Sequence, residues 1–167
     1  MNNNNNRLTP DMVNKAVTWL KKCKAPKING KYVAIIHPSV AYDLRSAPEW
    51  IEAHKYAATP EIFNGEIGEL HGVRFVETTN AKITKNPDTD LKGIYDTVFL
   101  GKDAYGIIDP EGGSMEMIIK NKGEAGGPLE QYSTAGYKFE DATKILYPER
   151  MVRVLSCSTF SEIDEEN

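Results

Sequence analysis

Apolar residues recur at Val13, Ala16, Val17, Leu20 and Cys23, the spacing that lays one stripe along a helix. Thr9 is a good N-cap and Pro10 suits the first helical position. Lys15, Lys21 and Lys22 fall off the stripe, and Pro26 and Gly30 end the element. Tyr32–Ile36 is a continuous apolar run rich in β-branched residues and predicts a buried strand. Pro38 opens a second helix carrying Val40, Ala41 and Leu44. Pro48 breaks it and opens a third, with Trp50, Ile51 and Ala53. After a turn-rich joint over 60–65, Ile67, Leu70, Val73, Phe75 and Val76 predict a hairpin turning near His71 and Gly72.

Further on, the polar segment 81–93 reads as an exposed loop. Residues 94–100, 105–108 and 115–119 read as three further buried strands, and 123–128 as a glycine-rich connector. Residues 132–139 read as an extended strand, 142–146 as a short helical piece, and 151–155 as a closing strand. The asparagine run over 2–6 cannot build a core and predicts a disordered tail over residues 1–8. The acidic end, 157–167, predicts a second tail, frayed from Ser161 onward. The elements are segregated, which is an α+β pattern and not a βαβ alternation.

Composition narrows the function classes. The chain has 167 residues, enough for one domain with a core, burying about 70% of the surface its unfolded form exposes. A 40% apolar and 26% charged composition is that of an ordinary globular protein. The net charge of −4 provides no global field to attract nucleic acid. No apolar run approaches the length of a membrane span, and the polar N-terminus lacks the order of a secretory signal. Cys23 and Cys157 lie far apart and indicate no disulfide framework. Cys23 is expected to pack in the core and Cys157 to be exposed.

Each candidate for chemistry has a plainer reading. His37, His54 and His71 are evenly spaced, but no HxxxH or CxxC pair accompanies them, so no metal site is expected. The glycine-rich 123–128 segment ends in Pro128 and Leu129, not in the Lys and Ser/Thr of a phosphate loop. Ser114 follows two glycines without the frame of a nucleophile elbow. Glu66 and Glu69 fall near the hairpin as a solvated face. Lys21, Lys22, Lys24 and Lys27 suit a solvated helix C-terminus, where the helix dipole favours cations. Trp19 lies beside the apolar stripe, which points to an interface, whereas Trp50 is expected to pack in the core. No catalytic, cofactor-binding or metal-ligating residue is assigned, and no enzyme activity is expected.

The order of the pieces resembles the major capsid proteins of tailed phages, in the family typified by coliphage N4. The resemblance rests on LTPDMVNKAVTWLKKCKAPKINGKYVAIIHPSVAYDLR, EIFNGEIGELHGVRFVETTNA, VFLGKDAYG, GPLEQYSTAGYK and KILYPERMVRV, from Leu8 to about Val154. Gly127 stands where the pattern would place an Asp before Pro-Leu. The resemblance implies the Hong Kong 97 capsid fold. After the tail over 1–8, residues 9–37 would form the first part of a peripheral domain with the spine helix. Residues 38–128 would form an axial domain and 129–156 the return to the peripheral domain, before the acidic tail over 157–167. It also implies that the N-terminal arm and extended loop that precede the spine helix in full members are lacking.

The function so implied is that of a structural subunit of a phage or prophage shell that self-assembles through head-to-tail contacts to enclose DNA. Its partners would be copies of itself in pentamers, hexamers or other homo-oligomers, or a full-length capsid protein. DNA would be met only indirectly, and no membrane is involved. Its place would be the virion capsid, and the bacterial host cytoplasm during assembly. The alternatives are a truncated module that joins or interferes with shell assembly, and the shell of a bacterial nanocompartment.

Overall fold

The computed structural model describes residues 6–56, 66–85, 93–108, 115–124, 129 and 131–161; the side chains of 53–56, 66 and 85 are not described. Helix α1 (Pro10–Lys22) starts where Thr9 caps it, the Thr9 hydroxyl accepting the Met12 N–H at 3.4 Å. Val13, Ala16, Val17 and Leu20 form its buried stripe. Cys23, expected in the core, is instead the half-buried residue that ends the helix, and its N–H donates to the Trp19 carbonyl. Strand β1 (Tyr32–Ile36) follows, then α2 (Pro38–Arg45) and α3 (Pro48–Tyr56), each opened by its proline.

Strands β2 (Glu66–Leu70) and β3 (Val73–Glu77) form the expected hairpin. Leu70 pairs with Val73, so the loop is His71–Gly72 alone. Both residues have positive φ, 53° and 79°, as in the two-residue turn that matches strand twist. The segment expected as a loop contains β4 (Ile83–Lys85), whose Ile83 is buried beside Tyr95. Its single core side chain is too weak a signal to read among polar neighbours. Strand β5 (Gly93–Leu100) runs antiparallel to β4, to β1 and to the closing strand β10 (Met151–Ser156).

The resulting sheet has the order β10-β5-β1-β3-β2, with β4 on β5. β1 lies inside it, parallel to β3 and antiparallel to β5. The β1–β3 pair is parallel because α2, α3 and β2 lie between the two strands and return the chain to the same end. One crossover thus interrupts the segregated order expected from sequence. Tyr32, Ala34 and Ile36 of β1 are buried on one face, with Val73 and Phe75 of β3 and Tyr95 and Phe99 of β5. Leu8 and the apolar residues of α1, α2 and Trp50 complete that core. Ala34 sits directly between Phe75 and Phe99 across the strands. Because Ala34 is small, the two rings meet over it edge to face, with centroids 6.3 Å apart, and Trp50 meets Phe75 in the same way at 5.7 Å.

The chain divides into two compact units: Met1–Ala104 with Tyr147–Asn167, which holds this sheet, and Tyr105–Leu146. The end of the expected N-terminal tail is part of the fold: Leu8 is buried, Arg7 bridges Cys157, and the Asn6 carbonyl accepts the Cys157 N–H. Residues 1–5 and 162–167 of the two expected tails, and the joint over 60–65, lie outside the described residues.

The second unit contains β6 (Tyr105–Ile108), β7 (Glu116–Lys120), β8 (Thr134–Lys138) and β9 (Ala142–Ile145). β6 pairs with β9 and β7 with β8, both antiparallel, one pair nested within the other in sequence. The expected helical piece over 142–146 is therefore a strand. Pairing with β6 overrides local preference, and Thr143 and Ile145 are β-branched. β6 and β7, expected to be buried, are exposed along most of their length. An apolar run reads the same whether a strand is covered on both faces or belongs to a two-stranded ribbon.

Two predictions follow from this packing. Phe75→Ala should cost about 3–5 kcal/mol, and Ala34→Leu, which wedges the rings apart, about 1–3 kcal/mol, both read by denaturant unfolding. Tyr32 is buried and its hydroxyl donates to the Ala25 carbonyl at 3.0 Å; burial raises its pKa above the ordinary 10.0. The folded state then holds this proton more tightly than the unfolded state, so its contribution is full below pH 10 and is lost as pH rises further. Tyr32→Phe should make the alkaline fall in stability shallower in pH-dependent melts.

Candidate assembly surfaces

The side chains considered for chemistry are mostly occupied with structure. His37 caps α2, its Nδ1 accepting the Ser39 N–H at 3.2 Å, and its ring lies 5.0 Å from that of Tyr95. His71 holds the hairpin turn. The His54 side chain, Ser114 and residues 125–128 lie outside the described residues. Glu69 is paired with Lys31, and the Glu66 side chain is not described. Lys22 lies over the Trp19 ring at 5.5 Å and Lys27 over Tyr32 at 5.8 Å. Lys21 lies in the last turn of α1, and Lys24 follows its cap. Among the described residues, no three His, Cys, Asp or Glu side chains are grouped to hold a metal ion. No described helix is long and apolar enough to cross a membrane.

Surface apolar groups are more informative. Trp19, beside the stripe of α1, is exposed, and Trp50 on α3 is buried, as expected for a residue packed from a short helix. The largest concentration lies in the second unit, where Ile107, Met115, Met117, Ile119, Tyr137 and Phe139 are all exposed. Two-stranded sheets are marginal alone and need a covered face, and exposed apolar patches of this kind mark contact surfaces.

A second feature was not legible in sequence. The segment after β10 is strapped across α2 by hydrogen bonds to two residues far away in the chain. The Ser158 hydroxyl donates to the Ser39 carbonyl at 2.8 Å. Asp43, only 4% exposed, accepts the Thr159 N–H at 2.9 Å and also the Thr159 hydroxyl. The Phe160 ring lies 5.2 Å from that of Tyr42, and the Tyr95 hydroxyl donates to the Ser161 carbonyl at 3.4 Å. Cys157, expected to be exposed, is half-buried here. Pairing with both of these donors lets the Asp43 carboxylate be buried at a tolerable cost. An aspartate in the last turn of an amphipathic helix, on its buried side, was the available signal. Arg153 pairs with the buried Asp96 at 2.9 Å across β10 and β5.

A family model described as phage capsid protein matches residues 11–118. No curated protein matches the chain. Among solved structures, the capsid of Ralstonia phage GP4 superposes with a TM-score of 0.63 at 13% identity, covering 96% of this chain and 49% of that one. The holo-SrpI encapsulin complex from Synechococcus elongatus PCC 7942 gives 0.58 at 12% identity, covering 96% and 51%. The capsid of Helicobacter pylori bacteriophage KHP30 gives 0.56 at 10% identity, covering 96% and 58%. The chain thus spans about half the length of the shell proteins it resembles, and at these identities the likeness is one of fold.

The strap gives a local prediction. Asp43→Ala leaves both Thr159 donors without their acceptor and should cost about 2–3 kcal/mol. Amide hydrogen exchange should quicken at residues 157–161 well before the central sheet opens, and Asp43→Asn, which keeps one acceptor oxygen, should have a smaller effect.

Proposed function

The chain belongs to the phage capsid protein family, and on that premise we propose that it serves as a structural, non-catalytic subunit of a phage or prophage shell of the N4 type. The observation that carries this reading is the second unit, a pair of narrow strand pairs with large apolar side chains left in solvent. Such a unit gains its stability from neighbours. Head-to-tail contacts between copies close rings, pentamers or hexamers, and the rings tile the shell. Each contact is weak, and many acting together make a durable wall. DNA is enclosed, and the net acidic chain holds no broad attraction for it. Assembly takes place in the bacterial host cytoplasm and the subunit ends in the virion capsid. The likeness to an encapsulin supports a second reading, a nanocompartment shell, which a co-purifying cargo enzyme would distinguish.

Light scattering with electron microscopy of the purified chain, alone and mixed with a full-length capsid protein, tests the proposal. Rings, shell-sized particles or entry into the partner's shells are expected. A strictly monomeric chain at high concentration that also stays out of those shells would overturn it.

A further inference from the structure

Opposite residues of an antiparallel pair share a face, and on β7–β8 this separates side chains by character. Met117 lies opposite Tyr137 and Ile119 opposite Ala135. Met115 and Phe139 extend that face, the Phe139 ring stacking on Tyr137 at 6.4 Å between centroids and 19° between planes. Met117 and Tyr137 are each 70% exposed and Ile119 59%. The other face carries Glu116 opposite Lys138, Lys120 opposite Thr134, and Ile118 opposite Gly136. The ribbon is amphipathic, and both of its faces are exposed.

We propose that this apolar face packs against the same face of a second copy of the chain, an isologous contact that links rings instead of closing one. The inference rests on the shell reading and names one of its contacts. Two observations select a copy as the occupant. The face carries no charged side chain, so phosphate, nucleic acid or a charged peptide finds nothing to pair with. The face is also small: two strands of five residues span about 17 Å by 10 Å, far below the roughly 800 Å² per partner of a stable solitary interface. A patch of that size holds only a partner bound at other points too, as a copy in a shell is. Two such ribbons stack at the ordinary sheet spacing of about 10 Å, and the methionines adapt to the facing aromatic rings.

The test uses the full chain. Oxidative footprinting across a concentration series should show Met115 and Met117 protected as the chain associates. In sedimentation velocity, Met117→Lys/Ile119→Lys should raise the association midpoint at least tenfold, while Ile118→Lys on the polar face shifts it less than twofold. Unchanged melting of both variants would show that the six-stranded sheet is intact, and the footprint of the unaltered chain decides if a variant misfolds. Rings or shells in which both methionines stay as reactive as in dilute chain would overturn the inference and leave the shell reading standing. Equal midpoints for the two variants would also overturn it. Protection of both methionines in a pair that never builds a ring or shell would support the contact and count against the shell.

Discussion

The meeting of Phe75 and Phe99 over Ala34 is the contact on which the rest of the principal unit depends. The three residues form a row across β3, β1 and β5, and the small central side chain lets the flanking rings touch. That row sets the floor against which Trp50 packs, and Trp50 anchors the helix opened by Pro48. In that row β3 lies parallel to β1, and α2, α3 and β2 carry the chain back along the sheet between them. A bulkier residue at position 34 would separate the rings and loosen the helical layer, because a core packed as densely as a crystal transmits such a change.

Around that row, distant parts of the chain are held by polar groups whose burial makes them exacting. Asp43 on α2 gathers the segment that follows β10 through Thr159, and Asp96 holds Arg153 across β10 and β5, the strand that carries Phe99. The N-terminal stretch joins this arrangement through Leu8, Arg7 and the Asn6 carbonyl. Both ends of the described chain are thereby fastened to the central sheet. Among the described residues, the nested strand pairs contribute no member to the hydrophobic core. Their large side chains lie on the surface, which makes them the part of the molecule best suited to contact other molecules.

Much of the principal unit was legible in sequence because its signals are local. Thr9-Pro10, Pro38 and Pro48 start helices where proline's fixed φ and missing N–H are tolerated. The stripe from Val13 to Leu20 repeats with the helical period, and His71–Gly72 supplies the two positive φ values that a tight hairpin turn needs. Trp19 off the stripe and Trp50 on its short helix were correctly separated as surface and core. The resemblance to capsid proteins, carried by the order of these pieces, agrees with the family match over 11–118.

Other features depend on which segments meet, and no local pattern reports that. Residues 142–146 became a strand because β6 offered a hydrogen-bonding edge. Ile83 made a short strand of an expected loop because Tyr95 lay beside it. β6 and β7 have the apolar composition of buried strands, yet burial requires a covering layer, and theirs have a single strand partner each. The strap over α2 links positions more than a hundred residues apart through Asp43, a separation at which only the folded chain can bring donor and acceptor together. Sequence alone therefore determined the helix starts, the hairpin turn, the main strands and the family. Tertiary structure decided which apolar strands are covered and which are left to a neighbour, because exposure is a property of packing and not of the residues that are packed.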